Sequence, residues 1–199
     1  MTELYNAFIS YAWRDNETIH NSGNGWVSTF VDGLRKLLSR ELPRKISQNN
    51  IWFDYEQMRG SDNISDKIRA KVEASRFLVP IISKSYLQSP WCRQELKIFI
   101  EKNGRKSGRI FPVWMDPVEE DIPEELDALL KYQFWYKDDR NQPRPRWFPD
   151  INPTDRDYSF IQQDMARDMA ACLKDIVAAE QETDPPKQIT PTTPTATIP

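Results

Sequence analysis

Apolar residues along the chain follow two alternating patterns. Short apolar runs of strand length are separated by longer stretches in which apolar residues recur every three or four positions, as on one face of a helix. The short runs predict strands over residues 5–11, 51–53, 77–82, 110–114 and 134–136. The helical spacing predicts helices over residues 25–41, 90–102, 124–130 and 158–179, and one more along the stripe of Ile64, Ile68 and Val72.

This alternation of strands and helices favours a parallel sheet with helices on both faces. We expect an α/β fold with a flavodoxin-like five-stranded parallel sheet in the order 2-1-3-4-5. Ligands of such sheets bind beyond the carboxyl ends of the strands, beside the point where the strand order reverses. Residues 11–14, 54–61 and 83–95 follow the first three strands, so we expect these segments to converge on one site.

Two segments near the end of the chain have a different composition. Residues 138–154 are rich in proline and charge, which predicts a long loop. Residues 181–199 contain five prolines and little that could be buried, which predicts disorder. We therefore expect one domain over residues 1–180, followed by a Pro/Thr-rich linker that leads to a C-terminal sensor domain in a longer protein.

Charge and composition exclude several classes of function. The 27 basic and 30 acidic residues give a net charge of -3, so we expect neither nucleic-acid nor membrane binding. The longest apolar run, residues 77–82, is far shorter than the ~20 residues that cross a bilayer, and no leader is evident, so we expect a soluble, cytoplasmic protein. Cys92, Cys172 and the single His20 provide too few ligands for a structural metal site and make no disulfide framework.

The most informative segment is WCRQE, which contains the one carboxylate that the helical pattern places beside a core stripe. On a helix that begins at Pro90, the side chains of Trp91, Glu95 and Phe99 share a stripe. Glu95 is then expected at the edge of the packed face, partly desolvated and close to the ligand-binding edge of the sheet. The alternative is a structural glutamate that pairs with Lys97 or another basic neighbour.

Four segments together resemble a TIR (Toll/interleukin receptor) domain: AFISYAWRDN, IWFDYEQMRGSDNISDKI, FLVPIISKSYLQSPWC and the WCxxE motif. The resemblance covers residues 5–116 and is expected to extend to about Ala179. TIR domains with this motif cleave the nicotinamide-ribose bond of NAD+, and the glutamate of the motif is the catalytic residue. The resemblance therefore implies that Glu95 is catalytic, that the domain is activated by TIR self-association, and that it acts in bacterial immune signalling.

A single carboxylate suits this reaction. Hydrolysis of an ordinary glycoside needs two carboxyl groups, because the leaving oxygen must be protonated. Nicotinamide is bound to the ribose as a cationic pyridinium and leaves as a neutral molecule, so one negative group can stabilise the developing oxocarbenium ion. NAD+ is then the substrate, and no cofactor is expected. The product, ADP-ribose or a cyclic isomer, stays open.

Residues after the first strand are candidates for binding NAD+. Ser10 is placed to hydrogen-bond a ribose, and the rings of Tyr11 and Trp13 are placed to stack on nicotinamide or adenine. Arg14 is a candidate for a phosphate contact. The alternatives are ordinary packing at the end of a strand and a solvated loop arginine.

Further candidates follow the second strand and begin the WCxxE helix. Asp54 is predicted either as a polar wall of the pocket or as a turn residue. Arg59 lies in the loop that, by the resemblance, gates the pocket. Trp91 is expected on the pocket floor, where it would hold Glu95, and Cys92 is expected in the core rather than as a nucleophile.

Two other functions remain possible on the sequence. A TIR scaffold would recruit other TIR domains without catalysis, although scaffolding members generally lack a usable equivalent of Glu95. A receiver-like phosphoacceptor would use Asp54, but such domains need an acidic pair after the first strand, where Ala12, Trp13 and Arg14 stand.

Overall fold

The computed structural model of the protein describes residues 4–18, 24–47, 51–53, 64–118, 122–130, 132–146 and 156–183. The strands are β1 (Tyr5–Ser10), β2 (Ile51–Trp52), β3 (Ser75–Ile82), β4 (Val113–Trp114), β5 (Tyr132–Gln133), β6 (Trp135–Lys137) and β7 (Pro143–Pro145). The helices are α1 (Trp26–Glu41), α2 (Arg44–Ser47), α3 (Ile64–Glu73), α4 (Lys84–Gln88), α5 (Pro90–Asn103), α6 (Glu124–Asp127) and α7 (Arg156–Thr183), with a 3-10 turn at Trp13–Asn16.

The main sheet has five parallel strands in the order β2-β1-β3-β4-β5, as the sequence predicts. All residues of β1 and β3 are buried, as expected for central strands that are covered on both faces. In the register of these two strands, Ser10 lies beside Pro80. The carboxyl ends of β1 and β3 therefore meet at one edge of the sheet, where the order of the strands reverses.

The two faces of the sheet carry separate apolar cores. Alternate residues of β3 point to opposite faces, so Val79 packs in one core and Leu78 in the other. The first core is closed by α1 and α7, and the second by α3 and α5. The predicted arrangement with helices on both faces is thus confirmed.

The predicted position of the fifth strand is wrong. The strand in the main sheet is Tyr132–Gln133, whereas Trp135–Lys137 pairs antiparallel with Pro143–Pro145 in a separate hairpin. Phe134 between them is completely buried and makes edge contacts with the rings of Trp26 and Phe30. Its N–H donates to the Trp114 carbonyl of the main sheet and its carbonyl accepts the Arg146 N–H, so it links the sheet to the hairpin. The apolar run at 134–136 therefore contains one buried core residue and the start of a hairpin strand, not the fifth strand of the main sheet.

Part of the segment that was predicted as a long loop is the second strand of this hairpin. The Asp138 carboxylate accepts the backbone N–H groups of Arg140 and Gln142 and pairs with Arg144 at 2.8 Å. Asn141 takes the left-handed backbone conformation that a tight turn requires, with φ 58°. The charged residues Asp138 and Arg144, which lie in the predicted loop, thus stabilise the turn between the two hairpin strands. Residues 147–154 of the predicted loop lie outside the described residues.

The remaining differences are at element ends. The helix α4 was not predicted, and Ser83 caps it by accepting the N–H of Tyr86. The last helix continues to Thr183, past the predicted domain boundary at residue 180, and the predicted disorder of the tail from residue 184 lies outside the described residues.

None of the helices formed by the described residues combines the length and the apolar character needed to cross a membrane.

The close approach of α1 and α7 generates a stability prediction. A methyl group at Gly33 would come within 2.6 Å of the amide oxygen of Gln162, whose buried amide nitrogen donates to the Phe30 carbonyl at 2.8 Å. We expect Gly33→Ala to lower the free energy of unfolding by about 1–2 kcal/mol, although alanine favours helix, because the amide must move or lose its partner. Chemical denaturation measures the change.

Two variants serve as controls for Gly33→Ala. Ser39→Ala, on an exposed site of the same helix, should change the free energy of unfolding by less than about 0.5 kcal/mol. Adding Gln162→Ala to Gly33→Ala should show favourable coupling, because it removes the clash. A Gly33→Ala protein more stable than the wild type would contradict the packing described.

Candidate active site

The candidate site lies at the carboxyl edge of the sheet. Ser10 ends β1, Ser83 follows β3, and α4 and α5 start from the same edge. The segments that follow the first and third strands therefore converge, as predicted. The segment after the second strand, including the candidates Asp54 and Arg59, lies outside the described residues.

The start of α5 determines where Glu95 points. Ser89 caps the helix, with its hydroxyl accepting the Cys92 N–H at 3.3 Å, and Pro90 occupies the first turn. From that start, Cys92, Glu95 and Phe99 fall on the face that packs against the sheet. The sequence predicted Glu95 at the edge of this face, but its side chain is completely inside, with 1% exposed.

A serine from the adjacent strand binds this buried carboxylate. The Ser10 hydroxyl, which is also completely buried, donates to Oε2 of Glu95 at 2.5 Å. Short hydrogen bonds to a carboxylate are among the stronger ones in proteins, and a buried carboxylate needs such donors. Ser10 was predicted to contact a ribose, whereas here its hydroxyl orients Glu95.

Glu95 does not form the surface ion pair with Lys97 that the structural alternative requires. Lys97 is on the exposed side of α5, and its ammonium group lies 3.9 Å from the carboxylate of Glu101. Glu95 and Lys97 therefore point in different directions from the helix.

Two neutral groups lie beside the Ser10–Glu95 pair. The Tyr86 hydroxyl is 3.5 Å from both Ser10 Oγ and the Cys92 carbonyl oxygen. Burial, with the nearby Cys92 and Glu95, raises the pKa of Tyr86 well above its usual value. Burial and the charge of Glu95 raise the pKa of the Cys92 thiol to about 12, so this cysteine is a neutral core residue, as predicted.

Of the aromatic and basic residues that are predicted to contact NAD+, one is buried and the others are exposed. Tyr11 is buried and stacks on Phe53 with ring centroids 5.5 Å apart, which is the packing alternative. Trp13 and Arg14 are exposed on the 3-10 turn. Trp91, which is expected on the pocket floor, is 49% exposed. Helical side chains lean toward the N-terminus, so an indole in the first turn of α5 extends past the packed face.

Sequence reasoning missed a second buried carboxylate at the same edge. Asp15 is 8% exposed and accepts a hydrogen bond from the Ser83 hydroxyl at 2.6 Å. Burial raises its pKa to about 6, and the nearby Asp116 adds to the shift. The signal in the sequence was an acidic residue in the segment that follows a buried strand, at the edge where ligands bind.

The described residues at this edge thus provide two buried carboxyl groups, each bound by a serine hydroxyl, with a neutral phenol and a neutral thiol close by. Such a cluster concentrates negative potential where water is excluded. It is suited to stabilising a positive charge that develops on a bound molecule.

Comparisons with known proteins were made for the whole chain. The family model described as TIR domain matches residues 7–146. The NAD(+) hydrolase PdTIR of Paracoccus denitrificans (strain Pd 1222) is 24% identical over 110 residues, which are 55% of this chain and 31% of that protein. The chain therefore spans less than a third of the length of that relative.

Among solved structures, the TIR domains of the activated Roq1 resistosome directly recognizing the pathogen effector XopQ align over 89% of this chain and 99% of theirs, with 18% identity and a TM-score of 0.41. The family model covers more than half of the chain, including most of β1, the WCxxE helix and the other four strands of the main sheet. The chain belongs to the TIR domain family.

Proposed function

We propose that this TIR domain is an NAD+ nucleosidase that cleaves the bond between nicotinamide and ribose in cytoplasmic immune signalling, including defence against phage. The observation that carries the proposal is the fully buried Glu95 carboxylate, bound by Ser10 at the ligand-binding edge of the sheet. The similarity to a bacterial NAD(+) hydrolase supports the same reaction.

In the proposed reaction, Glu95 stabilises the charge that forms on the ribose. The bond from C1′ to the pyridinium nitrogen breaks, and its electron pair stays with nicotinamide, which leaves neutral. The carboxylate of Glu95 then faces a ribosyl oxocarbenium ion, which it stabilises electrostatically in a site of low dielectric constant. Water adds at C1′ and releases a proton to give ADP-ribose, or a nucleophile of the same molecule adds to give a cyclic isomer.

The neighbours of Glu95 prepare it for this role. Ser10 fixes the position of one carboxylate oxygen by its hydrogen bond. Tyr86 and Cys92 add no charge of their own, because burial keeps both protonated. The carboxylate is therefore held in one orientation before the substrate arrives, and little reorganisation is needed during the reaction.

The remaining binding residues are assigned by position. We propose that the exposed indoles of Trp13 and Trp91 stack on the adenine or nicotinamide rings. Arg14 is available for the diphosphate. We propose that Asp54 forms a polar wall and that the loop containing Arg59 gates the pocket.

The burial of Glu95 supports activation by self-association. A carboxylate that is 1% exposed cannot contact a substrate until the site opens. We propose that TIR-TIR contacts open the site and complete it, and that a C-terminal sensor domain triggers this assembly.

Replacement of Glu95 tests the chemical proposal. We expect Glu95→Gln to reduce nicotinamide release from NAD+ by at least about a hundredfold, because the amide keeps the volume and the acceptor for Ser10 but has no charge. Chromatography of the reaction products measures the rate and distinguishes ADP-ribose from cyclic isomers. Circular dichroism should show an unchanged fold.

The matched control is Glu101→Gln, which removes an exposed glutamate of the same helix. It should release nicotinamide at the wild-type rate. Wild-type turnover in Glu95→Gln would exclude the proposed mechanism. An assembled wild-type protein that releases no nicotinamide would favour the scaffold function instead.

Self-association predicts a dependence of activity on protein concentration. The rate of nicotinamide release per molecule should rise as the protein is concentrated, because assembly follows mass action. Capture of a histidine-tagged protein on nickel-lipid vesicles should raise it further at the same bulk concentration, and imidazole should reverse the gain. A rate per molecule that is constant across concentrations and on vesicles would contradict activation by assembly.

A further inference from the structure

Asp15 is a buried carboxyl group that the proposed reaction does not use. It belongs to the 3-10 turn after β1, and its carboxyl group accepts the Ser83 hydroxyl at 2.6 Å. Its backbone N–H donates to the Ala12 carbonyl at 2.9 Å, which fixes the turn. A carboxyl group buried to this degree at the ligand-binding edge costs stability, so a role in the site would account for it.

A continuous set of contacts leads from Asp15 to Glu95. Ser83 donates to Asp15 and accepts the N–H of Tyr86 at 2.9 Å. The Tyr86 hydroxyl, at the other end of the same residue, lies 3.5 Å from Ser10 Oγ. Ser10 has one hydroxyl hydrogen, and the 2.5 Å contact commits it to Glu95.

Burial makes these contacts depend on one another. Ser83, Tyr86 and Ser10 are each completely buried, so their hydroxyl groups cannot exchange a lost partner for bulk water. Cys92 packs close enough to both acids that the charges of Glu95 and Asp15 each raise its pKa. The two carboxyl groups therefore share one set of neighbours.

We propose that Asp15 is a positioning residue for the reaction, whose carboxylate holds Ser83 and Tyr86 where they keep the Ser10–Glu95 pair in its reactive geometry. This inference rests on the proposed function for its catalytic consequence. The series of contacts that links the two acids through Ser83, Tyr86 and Ser10 is independent of that function, because it depends only on the packing of the site.

The groups that face Asp15 determine when it is ionised. Burial raises its pKa to about 6, and Asp116, which follows β4, acts in the same direction. Hydrogen bonds from Ser83, Ser85 and the backbone of Ala12 oppose the shift. Burial also raises the pKa of Asp116, and the positive charge of Lys84 acts against that shift and favours the ionised form that repels Asp15.

The sign of the effect follows from this value. Above about pH 6 Asp15 is a carboxylate and holds the Ser83 hydroxyl by a charge-assisted hydrogen bond. Below it the acid is neutral, the hold weakens, and kcat for NAD+ cleavage should fall. The free energy of unfolding changes in the opposite direction. Because the pKa of Asp15 is raised in the folded protein, Asp15 contributes its full stabilisation below the ordinary value of 3.8. This contribution is lost as the pH rises through about 6.

The pH profile of NAD+ cleavage tests the proposal on the assembled protein. In the wild type, kcat should fall about tenfold as the pH decreases through about 6, with KM little changed. Asp15→Asn should have a low kcat and lack this step, and Ser83→Ala should lose the step while Ser83→Thr keeps it. Asp32→Asn, at an exposed aspartate of α1, should match the wild type. A wild-type step in Asp15→Asn would overturn the proposal.

A second measurement separates this proposal from the proposed function. The side-chain carboxyl carbons of Asp15 and Glu95 can be followed by ¹³C NMR during a pH titration without NAD+. The Glu95 signal should shift at the midpoint of Asp15 in the wild type and not in Asp15→Asn or Ser83→Ala. A Glu95 chemical shift that does not change at the titration midpoint of Asp15 would overturn the proposal even if NAD+ is cleaved. The coupled shift in a protein that releases no nicotinamide would leave the positioning intact and refute only the nucleosidase.

Discussion

The hydrogen bond from the Ser10 hydroxyl to the Glu95 carboxylate is the interaction on which the site depends. It joins the last residue of β1 to the second turn of α5, at the edge of the sheet where the strand order reverses. Burying a carboxylate completely costs free energy unless hydrogen-bond donors bind it. This contact therefore fixes both the orientation of the acid and the position of α5 against the sheet. Negative charge is then held inside the protein, where it acts most strongly on a nearby cation.

A second hydrogen bond of the same kind, from a serine hydroxyl to a buried carboxyl group, lies at the same edge of the sheet. Ser83 follows β3 as Ser10 ends β1, and each serine donates to a buried acid that comes from a neighbouring element. Tyr86 contacts both serines, with its backbone N–H on one and its hydroxyl close to the other. A site built in this way transmits a change at one acid to the other, because the contacts between them are buried hydroxyl groups with no access to solvent.

The sequence predicted the sheet order from the alternation of strands and helices along the chain, and the start of α5 from the local signal of a Ser-Pro cap. It did not predict that Glu95 lies inside the packed face, since helical periodicity gives a direction and not the depth of the neighbouring layer. Asp15 was missed for a related reason: its partner Ser83 is distant in sequence, and only the packed sheet brings them together. The fifth strand and the hairpin are defined by pairings with β4 and between Trp135–Lys137 and Pro143–Pro145, which are likewise tertiary contacts.

The central claim is that the Glu95 carboxylate faces the ribose of NAD+ at the carboxyl edge of the sheet. The most direct test is a structure of the assembled protein bound to carba-NAD, in which a carbon replaces the ring oxygen of the nicotinamide ribose so that the bond is not cleaved. The account predicts an open site in which the carboxylate lies within about 3.5 Å of the sugar at the scissile bond. A nicotinamide ribose bound elsewhere, with Glu95 still sealed against Ser10 and out of reach, would contradict it.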